Sequence, residues 1–113
     1  MSDDCIFCKI AAKEIPGKIR YEDDDLIAFD DINPQAMIHV LVVPKKHIHS
    51  VAATEDSDLP LIGKMVGAAK QISKEMNIEE GFRLVFNSGR DAGQEVDHLH
   101  LHLLGGNVLG SIA

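Results

Sequence analysis

The run from His98 to Leu104 constrains the fold more than any other segment, because histidine and leucine alternate along it. In a β-strand, successive side chains point to opposite faces, so the leucines can enter a core while the imidazoles share the other face. Histidines on one such face stand roughly 6 to 7 Å apart. The pattern therefore predicts a half-buried strand whose second face carries groups that titrate near neutral pH.

The remaining apolar segments predict an α+β fold. The segment from His39 to Val43 is β-branched and apolar and stops at Pro44, as expected for a central strand that cannot accommodate proline. Short turns link most of the predicted strands and one helix is inserted, which favours an antiparallel sheet of about five strands. The other predicted strands are Ile19 to Glu22, Leu26 to Asp30, Phe82 to Asn87 and Leu99 to Leu104.

One long helix is predicted from Asp58 to Met76, where apolar residues recur every three or four positions. Gly63 and Gly67 lie one turn apart within it, and each costs roughly 1 kcal/mol relative to alanine. Close approach of another backbone would compensate for this cost. Simple tolerance of the two glycines explains them equally well.

A second, shorter helix is predicted near the N-terminus. Asp3 or Asp4 can cap a helix that runs through Ile10 and ends before Pro16. No repeat or low-complexity tract interrupts the chain, so residues 1–113 are expected to form a single domain.

Charge and composition exclude some classes of partner. The formal net charge of −7 would repel a long polyanion, so no nucleic-acid polymer is expected as a partner. No secretion signal or segment of membrane-spanning length is recognisable, and we expect a cytoplasmic protein without a membrane partner.

The two cysteines, Cys5 and Cys8, have the spacing of half a zinc site. They are too few for a disulfide scaffold, and their number fits a reducing compartment. Two more ligands would have to be histidines. Unmetallated thiols and a redox pair are the alternatives, although a redox pair is usually found between a strand and a helix.

The three alternating histidines can act as metal ligands, or as a nucleophile with helper groups. The loop Gly93-Gln94-Glu95-Val96 leads directly into the run. Its glycine leaves backbone N–H groups accessible to phosphate oxygens, which favours phosphoryl chemistry over a simple metal cage.

The chain resembles the histidine triad (HIT) family, whose defining pattern is three histidines alternating with apolar residues. Gly105-Gly106 directly after the run is similar to the Hint-type branch of nucleoside phosphoramidate hydrolases. Further similar motifs are Ile6 to Ile10, Glu14 to Pro16, Phe29 to Ala36, Val43 to His47 and Gly93 to Val96.

The resemblance implies a HIT-like fold and a homodimer, in which two sheets join edge to edge and the long helices pack at the interface. It also implies hydrolysis of an amine conjugate of a purine nucleoside monophosphate, without an organic cofactor. His100 would attack the α-phosphorus to form a nucleotidyl-histidine. His102 would donate a hydrogen bond to a phosphate oxygen.

The resemblance further implies which residues bind the nucleotide. Apolar side chains would surround the base, Asp31 would bind the ribose, and Asn87 with the loop and the last two histidines would contact the phosphate. The full set is Ile6, Phe7, Ile10, Phe29, Asp31, Ile32, Asn87, Gly93, Gln94, Glu95, Val96, His100 and His102.

Some HIT relatives with a cysteine pair bind structural zinc, and by position His47 and His98 would complete the set with Cys5 and Cys8. Two residues depart from the family pattern. Glu95 stands where some relatives have a serine that reaches the leaving group. Asp97 replaces a common aromatic residue and changes the local charge.

Three other functions are compatible with parts of the pattern. One is a nucleotide-binding or scaffolding protein with little catalysis, against which the intact triad argues. The second is a dinucleoside polyphosphate hydrolase, although those relatives usually carry proline and a basic residue after the triad. The third is a metal-dependent hydrolase using all three triad histidines as ligands, which would lose activity with a chelator.

Overall fold

The computed structural model describes residues 5–112, which contain two α-helices, five β-strands and three short 3-10 turns. The 3-10 turns are Val51–Ala53, Asp56–Asp58 and Arg90–Ala92. The helices and strands in chain order are α1 Ile6–Ala11, β1 Ile19–Glu22, β2 Leu26–Asp30, β3 Ile38–Pro44, α2 Leu59–Glu75, β4 Phe82–Val85 and β5 Leu101–Gly105.

The strands form one antiparallel sheet in the order β1-β2-β3-β5-β4, which confirms the predicted α+β class. Strand β3 lies at the centre, and Val40 and Val42 are completely buried. Its register with β5 places Leu41 opposite His102. The most apolar strand of the sequence is thus the one that holds the histidine-bearing strand in place.

Helix α2 covers one face of the sheet with the apolar stripe predicted from its periodicity. Met65 and Ile72 pack with β3 and β5 residues such as Val42 in one buried cluster. Around Gly63 and Gly67, apart from the neighbouring residues and nearby backbone of α2 itself, no described atom lies within 4 Å of an added Cβ. The close backbone approach considered for these glycines is therefore not made within the described residues. No helix in this part of the chain is long and apolar enough to cross a membrane.

Helix α1 covers the opposite face of the sheet, where Phe7 and Ile10 join Phe29 and Leu41 in a second buried cluster. The structure assigns the helix cap differently from the sequence prediction. The N-cap is Cys5, whose Sγ accepts the Cys8 N–H at 3.4 Å. Asp3 and Asp4, the predicted caps, lie outside the described residues.

The last two strands are shorter than predicted. Strand β4 ends at Val85 rather than Asn87, and β5 begins at Leu101 rather than Leu99. The Leu99 N–H instead donates to the Ile48 carbonyl at 2.6 Å. The predicted alternation still holds as burial, because Leu99, Leu101 and Leu103 all enter the α2-side core.

Candidate functional site

His100 lies just before β5 on the α1 side of the sheet and is almost completely buried. Its ring centroid is 4.9 Å from that of His102 and 5.1 Å from the Phe7 ring. The His100 Nδ1 lies 2.7 Å from the His98 carbonyl oxygen. Since a carbonyl only accepts, Nδ1 carries the proton and neutral His100 has a bare lone pair on Nε2. His100 is therefore oriented as the predicted nucleophile requires.

His39 is a site residue to which the sequence analysis assigned no role. Its Nε2 lies 2.9 Å from His102 Nδ1 and 3.5 Å from Asp31 Oδ2, and its Nδ1 lies 3.0 Å from the Gln35 backbone nitrogen. The pairing of Leu41 with His102 makes His39 a diagonal neighbour of His102 on the same face. That signal exists only once the strand register is known.

Burial keeps this pair of histidines neutral. The pKa of His102 is lowered to about 4, mainly because the ring is buried and further because His100 and His39 are close. Burial also lowers the pKa of His39, and the carboxylate of Asp31 partly opposes this effect. Both rings are uncharged at neutral pH, so each has one N–H and one lone pair to place.

Of the five residues predicted to bind the base, three are buried together and two are exposed. Phe7, Ile10 and Phe29 lie together in the second buried cluster, with Phe7 and Phe29 in edge contact at 5.5 Å. Ile6 and Ile32 lie outside this cluster and are 41% and 86% exposed. Exposed apolar side chains of this kind are available to a ligand.

Asp31, the predicted ribose ligand, lies at the end of β2 near the histidines. Its Oδ1 accepts the Asn33 N–H at 2.8 Å, and its own N–H donates to the His39 carbonyl at 2.9 Å. These bonds fix the carboxylate with Oδ2 turned toward His39. The structure thus brings the predicted ribose residue and the triad together.

Two residues predicted to contact the phosphate already make hydrogen bonds to the protein. Gly93 has a left-handed φ of 87°, which suits glycine, but its N–H already donates to the Arg90 carbonyl at 2.9 Å. The Gln94 side chain accepts the Gly89 N–H at 2.8 Å and donates to the His49 carbonyl at 2.6 Å. In this arrangement Gly93 does not offer a free N–H, and Gln94 braces the loop.

The next two residues of the loop remain available. No carbonyl within residues 5–112 accepts the backbone N–H of Glu95 or Val96. The Val96 side chain packs against the second buried cluster, and that of Glu95 is exposed. Asn87 follows β4 and is half-buried.

The four predicted metal ligands converge, with all four donor atoms within 4.8 Å of one another. Cys5 Sγ lies 3.3 Å from His98 Nδ1, Cys8 Sγ lies 3.3 Å from His47 Nδ1, and the two Nδ1 atoms are 3.1 Å apart. Tetrahedral zinc, with bonds of about 2.0 to 2.3 Å, separates its ligand atoms by roughly 3.3 to 3.8 Å. The spacing fits a small tetrahedral cation.

The environment of His98 also fits a ligand. Its Nε2 lies 2.8 Å from the Pro44 carbonyl, so the proton is on Nε2 and the lone pair of Nδ1 faces the cysteines. Metal-bound histidines typically donate their outer N–H in this way. Burial, together with the nearby His47, lowers the pKa of His98 to about 4.

The three triad histidines do not converge as ligands of one ion. The Nδ1 of His98 faces the cysteines, that of His100 faces a carbonyl, and that of His102 faces His39. This geometry argues against the metal-dependent hydrolase considered above.

Comparisons with known proteins point to one protein family. A family model described as "Scavenger mRNA decapping enzyme C-term binding" matches residues 4–111. Protein HitA of Neisseria gonorrhoeae is 48% identical over 103 residues, which cover 91% of this chain and 96% of HitA. The purine nucleoside phosphoramidase of Escherichia coli K12 is 43% identical over 111 residues, covering 97% of this chain and 93% of that protein.

A solved structure of a histidine triad protein from Clostridium difficile superposes with a TM-score of 0.96 at 45% identity, covering 100% of this chain and 99% of that one. The two folds therefore agree over the whole length of the chain. The chain therefore belongs to the histidine triad (HIT) family.

Proposed function

We propose that this protein is a purine nucleoside phosphoramidate hydrolase that acts through a nucleotide covalently bound to His100. The observation that carries the proposal is the hydrogen bond from His100 Nδ1 to the His98 carbonyl, which leaves Nε2 as a lone-pair donor beside Phe7 and His102. The similarity to the E. coli purine nucleoside phosphoramidase supports this class of substrate.

The reaction divides into two displacements at the α-phosphorus. His100 Nε2 attacks, the P–N bond breaks, and the leaving nitrogen takes a proton from solvent. Water then attacks the phosphorus of the nucleotidyl-histidine, gives a proton to solvent, and releases the nucleoside monophosphate and neutral His100. Charge builds on the non-bridging oxygens in both steps, so a donor fixed beside them, such as His102 Nε2–H, lowers both barriers.

The remaining site residues bind the nucleotide in this proposal. The base lies against Ile6, Phe7, Ile10, Phe29 and Ile32, and the ribose hydroxyls donate to Asp31. The amides of Glu95 and Val96 bind the phosphate, with Asn87 beside them. Gly93 and Gln94 shape the loop, since the Gly93 N–H is already used within it and the Gln94 side chain ties it to His49.

Cys5, Cys8, His47 and His98 would hold a structural zinc ion. When bound, such an ion supplies folding energy rather than chemistry, because four protein ligands leave no open position. The proposal also includes a single domain over residues 1–113 and a homodimer with a continuous sheet. The strands available for edge-to-edge pairing are β1 and β4.

The proposal is tested by intact-protein mass spectrometry after rapid mixing with an adenosine phosphoramidate. Wild type is expected to gain the mass of one adenylate, and His100→Ala is expected to gain none, with turnover reduced roughly 1,000-fold or more. Both proteins should still bind AMP. Bound nucleotide without turnover in wild type would instead support the binding or scaffolding protein.

A further inference from the structure

We propose that His39 is a positioning residue that holds His102 in the tautomer with its proton on Nε2, directed at the substrate phosphate. The catalytic role of His39 rests on the proposed function. The position of the proton on His102 does not depend on any activity.

The direction of the hydrogen bonds begins at the backbone of Gln35. A backbone N–H can only donate, so the Gln35 amide, 3.0 Å from His39 Nδ1, requires a lone pair on that nitrogen. His39 is neutral because it is buried, so its single proton is on Nε2.

The His39 Nε2–H has two possible acceptors. His102 Nδ1 lies at 2.9 Å, within the normal range for a hydrogen bond, whereas Asp31 Oδ2 lies at 3.5 Å, at its outer limit. The proton therefore points to His102 Nδ1, which must be the acceptor. In neutral His102 the remaining proton is on Nε2.

The arrangement is rigid because both rings project from paired central strands. His39 lies in β3 opposite Leu104, and His102 lies in β5 opposite Leu41. The His39 side chain is only 3% exposed, so water does not compete for its nitrogens. A donor fixed in advance costs no reorganisation when charge develops on the phosphate.

Two substitutions at His39 separate the two ends of the hydrogen-bond chain. In His39→Gln, the amide nitrogen occupies about the position of Nε2 and can still donate to His102. In His39→Asn, the shorter side chain keeps an acceptor near the Gln35 amide but does not reach His102. Both variants remove the His39 imidazole, but only His39→Gln keeps a hydrogen-bond donor to His102.

The first measurement is the tautomer of His102 in nucleotide-free protein, read from ¹⁵N chemical shifts and two-bond couplings to the ring protons at pH 8. Wild type and His39→Gln are expected to show the proton on Nε2, and His39→Asn a mixture of tautomers. The second is steady-state kinetics with an adenosine phosphoramidate. His39→Asn should lower kcat roughly 10- to 100-fold with little change in KM, and His39→Gln should recover most of the loss.

A proton on Nδ1 of His102 in wild type would overturn the proposal, even if neither variant folds. Unchanged kcat and tautomer in folded His39→Asn would also overturn it. If wild type shows the Nε2 proton but no hydrolysis, the proposed function fails while the assignment of the proton stands.

Discussion

Two groups of polar side chains on the α1 side of the sheet place donor atoms close together and yet suit different chemistry. The ligand group consists of Cys5, Cys8, His47 and His98, and the relay group consists of Asp31, His39 and His102. Each group has its donor atoms within 4.8 Å of one another. Proximity alone therefore does not distinguish them.

The difference lies in the backbone group that faces the outer nitrogen of each histidine. The outer nitrogen of His98 meets a carbonyl, that of Pro44, which takes a proton and leaves the inner nitrogen bare. The outer nitrogen of His39 meets an N–H, that of Gln35, which places the proton on the inner nitrogen. A metal needs a lone pair, so the first geometry favours a ligand and the second a proton donor.

The largest expected effect comes from breaking the ligand group. Cys8→Ser should reduce bound zinc to background and lower the melting temperature by roughly 10 °C or more, because structural zinc contributes several kcal/mol to folding. Elemental analysis and calorimetry of untagged protein measure both quantities. His39→Asn is the matched control and should keep the zinc content of wild type. Zinc-free wild type would contradict the proposed ligand role.

A smaller effect is expected from the relay group at acid pH. The pKa of folded His102 is lowered from 6.5 to about 4, so between these values the unfolded chain binds more protons than the folded one. The stabilising contribution is therefore complete above about pH 6.5 and is lost as the pH falls toward 4. His102→Gln should reduce the loss of unfolding free energy between pH 7.5 and 5 by about 2 kcal/mol. Denaturant titrations at the two pH values measure the difference, and parallel losses in both proteins would refute it.

The smallest effect is expected at a histidine–aspartate pair outside both groups. His49 Nε2 lies 3.5 Å from Asp97 Oδ1, and the two side chains are 56% and 78% exposed. Solvent screens such a pair, so Asp97→Asn should change the free energy of unfolding by less than about 1 kcal/mol. Urea denaturation at neutral pH provides the measurement. A larger change would mean that this exposed pair contributes to stability despite solvent screening, and exposure would then not distinguish it from the buried ligand and relay groups.

Much of the fold could be predicted because local pattern and burial agree. The bounds of β1 and β2 match the prediction, and α2 agrees to within one residue at each end. The predicted start of β5 was wrong because the point where this strand begins depends on where its partner β3 ends, and not on the residues of β5 alone. Strand β3 ends at Pro44, which has no N–H for the ladder, and Leu99 bonds to Ile48 instead.

Site residues that belong to a sequence motif could be predicted. Site residues that meet only through the pairing of distant strands could not. The spacing of Cys5 and Cys8 indicated half of the ligand group, and the resemblance supplied His47 and His98. His39 was missed because its partner His102 is 63 residues away and meets it only through the register of β3 with β5. The hydrogen bonds that the Gly93 N–H and the Gln94 side chain make to Arg90, Gly89 and His49 likewise depend on how the loop folds.

The position of β5 has a consequence for the order in which the protein can assemble during synthesis. Although β5 comes after the other four strands described in residues 5–112, it lies inside the sheet, between β3 and β4. Until residues 101–105 emerge, β3 has an open edge and β4 has no partner in the sheet. A nascent chain can form β1 to β3 and α2 early, since N-terminal parts emerge first. His100 and His102, the proposed nucleophile and its helper, join this scaffold only at the end, so a chain truncated before His100 lacks both residues and the completed sheet.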